Sequence, residues 1–96
     1  MPTPEDLRLY AERQAAIETA INHNQAGADT SDAEAIALEA ELSAAVKSGV
    51  DPADIRIMRH RLADIEYARD SALNANKALQ PEYAEVVAGP PDTDEP

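Results

Sequence analysis

No cysteine, phenylalanine or tryptophan occurs in these 96 residues. The first absence excludes disulfides, thiolate metal sites and a cysteine nucleophile. The other two remove the side chains that bury the most area and leave three tyrosines as the whole aromatic complement. Only three glycines are present, and no glycine-rich loop able to cradle a phosphate can be built from them. Basic residues number 8 against 19 acidic ones, for a formal net charge of −11. Such a surface repels phosphate, so direct nucleic-acid binding is not expected. No apolar run approaches the ~20 residues of a membrane span, and the start from Met1 to Asp6 has neither the basic nor the apolar region of a signal peptide. The expectation is a soluble protein, cytoplasmic or within a viral particle, without membrane contact and unlike a secreted disulfide protein.

What the chain does have is alanine, at twenty residues, the best helix former of all. Leu, Ile and Val together number 17, few enough, beside so high a charge, to approach the composition of disordered chains. Strong local helix preference with few large apolar side chains implies a helical protein with a thin core. Self-association or docking on a partner protein then has to supply the missing burial.

The most periodic stretch begins at Asp51, an N-cap, with Pro52 at the one helical position where a missing N–H costs nothing. Ile55, Met58, Leu62, Ile65, Ala72 and Leu79 form one stripe, interrupted by Arg69 and Asn76, and Pro81 reads as its stop. Thr3 and Pro4 open a first helix, with Glu5 and Asp6 in its first turn, and Gly27 reads as its left-handed end. Ser31 and Glu34 then read as a capping box ahead of Leu38, Leu42, Ala45 and Val46, with Gly49 after the end. The fold expected is an all-α, three-helix up-down-up bundle, with helices over about 4–26, 32–48 and 52–80. A C-terminal docking segment and an acidic, proline-containing tail occupy 81–96. Gln14, Asn24, Arg69 and Asn76 are polar interruptions that either fix helix register and oligomer state or mark where the bundle ends and solvent begins.

Charge is uneven along the chain. Residues 1–54 carry 11 acids and 3 bases, residues 55–80 carry 3 and 5, and residues 81–96 carry 5 and none. The third expected helix is thus the only basic part of an acidic protein. Arg56, Arg59 and His60 lie off its main stripe beside Tyr67, a combination suited to an acidic segment, with Tyr67 as anchor and the arginines as carboxylate forks. Tyr83, Val86 and Val87 are expected to dock on apolar surface of a neighbouring subunit or partner. Leu9, Ile36 and Ile57, one per expected helix, sit among alanines and suggest a second, shallow apolar face.

Enzymatic chemistry has little to stand on. His23 and His60 fall on different helices without a metal-ligand spacing, the acidic run from Asp29 to Glu34 lacks the glycine of a calcium loop, and no serine has a histidine near it in sequence. No catalytic residue, cofactor or metal is assigned. Small secreted helical hairpins of about this length carry a Trp-x-Gly turn, which a chain without tryptophan cannot form. The function expected is a non-enzymatic structural or adaptor subunit of a larger assembly, or a homo-oligomer, acting through helix contacts and its tail. Small helical phage or virion-associated proteins are similar in size and composition. The alternative is an acidic inhibitor that blocks a nucleic-acid-binding surface, of the anti-restriction or anti-CRISPR type.

Overall fold

A computed structural model describes residues 2–90. It contains two helices rather than three: α1 (Pro4–Lys47) and α2 (Pro52–Ala88). They pack against each other as one antiparallel hairpin with principal extents of 75 × 19 × 14 Å. The three-helix bundle expected from the sequence is therefore wrong, although the all-α class holds. The acidic part of the expected tail, residues 91–96, lies outside the described residues.

Both helix starts are formed by the caps that the sequence shows. The Thr3 hydroxyl accepts from the Asp6 backbone N–H at 3.1 Å while Asp6 accepts from the Thr3 N–H, a closed capping box. The Asp51 carboxylate accepts from the Ala53 N–H at 2.9 Å, with Pro52 first in the helix. Between the helices, Gly49 takes φ 74°, and the Val50 and Gly49 N–H groups donate to the Ala45 and Val46 carbonyls. This is the Schellman arrangement, in which a residue without Cβ closes the last turn.

The expected break at residues 27–31 does not occur. Gly27 stays right-handed within α1, and Ser31 is a half-buried interior position instead of a cap. The reason is tertiary. From Tyr10 to Ala45 the inward positions are Tyr10, Gln14, Ile17, Ile21, Asn24, Ala28, Ser31, Ala35, Leu38, Leu42 and Ala45, in alternating steps of four and three. That heptad rhythm passes through Gly27 without a change of phase. A glycine inside a helix costs about 0.5–1 kcal/mol. Ending and restarting the helix would add a second unfavourable nucleation and strip the partners from Ala28 and Ala35, each 2% exposed.

Pro81 fails as a stop for the same reason. It lies inside α2, which ends at Gly89 with φ 85°. Pro81 is on the outward face, so the Lys77 carbonyl that it leaves without a donor is open to water. The turns beyond it are held by Tyr83, whose hydroxyl donates to Glu18 Oε1 at 2.8 Å, and by Val86, 2% exposed. The α2 seam, Ile55, Met58, Leu62, Ile65, Arg69, Ala72, Asn76, Leu79, Tyr83 and Val86, is as strictly heptad as that of α1. Asn24 Nδ2 donates to Asn76 Oδ1 at 3.0 Å and Arg69 Nη1 to Asp32 Oδ1 at 3.1 Å, which fixes the register. Counted outward from those contacts, Ala28 falls opposite Ala72, Ala35 opposite Ile65, Leu38 opposite Leu62 and Leu42 opposite Met58.

Candidate interaction surface

A two-helix hairpin has one seam and no second layer, so most of each helix faces outward. The buried apolar residues are Ala28, Ala35, Leu38 and Val86. Large apolar side chains left exposed include Ile36 (61%), Ile57 (59%) and Tyr67 (75%), together with Leu7, Leu9, Val46, Val50 and Val87. The clefts along the hairpin are shallow and open, such as one lined by Glu34, Leu38, Glu41, Arg61 and Ile65. Among the described residues no group of His, Asp and Glu is placed to hold a metal ion, and no helix is long and apolar enough to cross a membrane.

The register sorts the surface into two broad sides. One is marked by Asp32 and Arg69 and by the cleft that joins them to Gln25, Asp70 and Leu73. By heptad position, Ile36 and Val46 of α1 and Arg56, Arg59, Ala63 and Val87 of α2 share this side. His60 and Tyr67 lie along the outer edge of α2 next to it. The opposite side carries Glu34, Glu41 and Arg61 around their cleft, and with them Leu9 and Ile57. Leu9, Ile36 and Ile57 therefore do not form one apolar face. Ile36 is across the hairpin from Ile57, and Leu9 is displaced along the axis from Ile57 by roughly 50 Å at ~1.5 Å per residue.

Arg56, Arg59, His60 and Tyr67 do come together, because they share one outer face of one helix. All four are exposed, and among the described residues neither arginine forms an ion pair. Arg69, by contrast, is engaged by Asp70 and Asp32, whose hydrogen bonds raise its pKa further above the ordinary arginine value. Tyr83 and Val86 are committed within the chain, packed inward against α1, while Val87 remains outward at 53% exposure.

Sequence reasoning missed the Glu18 site at the open end of the hairpin. Glu18 accepts from Tyr83 at 2.8 Å and from Gln14 Nε2 at 3.2 Å. The Tyr83 hydrogen bond, supported by that of Gln14, lowers the Glu18 pKa, and the same bond raises that of Tyr83. Its signal was present in the sequence: Tyr83 continues the α2 heptad past Pro81. No protein-family model, curated protein or solved structure matches this chain.

Proposed function

We propose that this chain is a non-enzymatic structural or adaptor subunit of a larger protein assembly, a role that includes a virion-associated one. The observation that carries the reading is the imbalance of the hairpin: its seam buries few large side chains while Ile36, Ile57 and Tyr67 are more than half exposed. Scattered exposed aliphatics are ordinary on a globular surface. They weigh more in a rod with a single seam, where a second layer of helices is the usual means of covering them. The strict heptad seam adds rigidity, which suits a spacer or clamp that holds partners at fixed separation. The inhibitor reading gains nothing from the geometry. Asp32 and Glu39 lie on one broad side and Glu34 and Glu41 on the other, so the α1 carboxylates form no single row resembling a phosphate backbone.

The test places a photo-crosslinking amino acid at Ile36, Ile57 or, as a polar control, Asn74, in cells that produce the chain natively. Discrete protein adducts are expected from Ile36 and Ile57 and not from Asn74. Absence of adducts at both apolar positions, together with a purified monomer whose melt is cooperative and concentration-independent above ~60 °C, overturns the proposal.

A further inference from the structure

The exposed Arg56, Arg59 and His60 face lies near the turn end of the hairpin, and α2 ends at Ala88, at the open end. Asp92, Asp94 and Glu95 follow Pro90 and Pro91 with no basic residue among them. Arg59 stands 29 residues before Ala88 on the same helix, about 44 Å along the axis at ~1.5 Å per residue. The seven residues after Ala88, Gly89 to Glu95, span at most about 25 Å when fully extended. Asp92, Asp94 and Glu95 therefore cannot reach Arg56 and Arg59 of the same chain.

A second copy can. Two hairpins laid side by side in opposite directions bring the end of α2 in one copy beside the start of α2 in the other. Arg56 and Arg59 are then within about 6–11 Å of Ala88 along the axis, well inside the reach of the acidic residues. A twofold axis makes the contact twice. We propose that this chain forms an antiparallel pair in which Asp92, Asp94 and Glu95 of each copy engage Arg56 and Arg59 of the other. The inference rests on the reading of the chain as an assembly subunit and names a second copy as one partner. The supporting observations are the charge match, the absence of ion pairs at both arginines among the described residues, and the reach that forbids the contact within one chain. Val46 and Tyr67 flank the same face and Val87 precedes the acids, so apolar contact accompanies the charge. Charge pairs at an exposed surface are individually weak and screened by salt. The pair therefore loosens as salt rises.

The experiment is sedimentation velocity on the full chain and two charge-reversed forms. One carries Asp92→Lys, Asp94→Lys and Glu95→Lys; the other carries Arg56→Glu and Arg59→Glu. Arg56 and Arg59 are both at exposed positions, and circular dichroism checks that helicity is unchanged in either form. The wild type is expected to dimerise more weakly at 0.5 M than at 0.05 M salt. Each reversed form alone should dimerise at least about tenfold more weakly, because both charge contacts of the pair turn repulsive. Mixed one to one, the two reversed forms restore opposite charge at both contacts and should recover the dimer. A wild-type monomer at every concentration overturns the inference. So does undiminished association of either reversed form alone, or a mixture that recovers nothing. Association that ignores both reversals overturns this pairing and leaves the assembly reading standing, which the crosslinking at Ile36 and Ile57 tests separately.

Discussion

The middle of the hairpin and the segments on either side of it are built from different chemistry. Toward the turn, Leu38, Leu42, Met58, Leu62 and Ile65 fill the seam, and toward the open end Ile17, Ile21, Leu79, Tyr83 and Val86 do so. Between them the layers are Asn24 with Asn76, Ala28 with Ala72, and Ser31 with Arg69. In this waist, Asn76 is 8% exposed, accepts from Asn24 and donates to the Ile21 carbonyl at 3.2 Å, so its amide is satisfied. The flanks supply burial and the waist supplies alignment. An apolar layer tolerates neighbours in several positions, whereas an asparagine pair is satisfied in one register only.

The largest effect that separates the two regions comes from truncating a flank. Leu38→Ala should destabilise the hairpin by about 2–5 kcal/mol, because the seam has no second layer to collapse into the space. Chemical denaturation would show it as a lowered midpoint with unchanged slope. A loss below about 1 kcal/mol would mean that the turn-side flank is not packed as described.

Next in size is the waist. Asn76→Leu alone leaves Asn24 without its partner and should cost about 1–3 kcal/mol. Asn24→Leu with Asn76→Leu should be close to neutral, since both polar groups are gone, and the double-mutant cycle then reports strong coupling. Additive losses would show that the two amides do not meet.

Gly27→Ala sharpens the comparison from the other direction. A Cβ at Gly27 meets no atom within 4 Å, and the backbone there is helical. The substitution should therefore stabilise by about 0.5–1 kcal/mol. At a left-handed helix end the same change would destabilise, so the sign of the shift alone distinguishes the two folds.

The smallest effect is the response of the open end to pH. Glu18 has its pKa lowered in the folded chain, so its contribution is present above the ordinary value of 4.5 and is lost as pH falls through the lower folded value. Tyr83 has its pKa raised, so its contribution is present below 10.0 and is lost as pH rises through the higher folded value. Tyr83→Phe should flatten both limbs of the stability profile in thermal melts. Equal pH dependence in the variant would remove the Glu18 contact from the account.

These differences also mark what could be read from sequence. Thr3, Asp51 with Pro52, and Gly49 announce themselves because capping is local chemistry among residues a few positions apart. Gly27, Ser31 with Glu34, and Pro81 carry the same local signatures and are overridden. The deciding quantity is the unbroken heptad phase from Tyr10 to Ala45 and from Ile55 to Val86, and its weight comes from a partner helix. The weak members of that seam, Asn24, Ala28 and Ser31, hid its continuity because none is a large apolar residue. For the surface, Arg56, Arg59, His60 and Tyr67 were legible as a group since one helix places them. Whether Leu9, Ile36 and Ile57 meet depends on register between helices, which no single stretch encodes.

Whether α1 runs unbroken from Pro4 to Lys47 is tested most directly by one distance. The absence of cysteine allows spin labels on Glu12→Cys and Lys47→Cys as the only thiols, both at exposed outward positions of α1. Labelled chains diluted in unlabelled ones give the intramolecular separation by pulsed electron resonance. A continuous helix places the two positions about 52 Å apart at ~1.5 Å per residue. A narrow distribution near that value is the predicted result. A separation below about 20 Å, as two antiparallel helices joined at residues 27–31 would give, contradicts it.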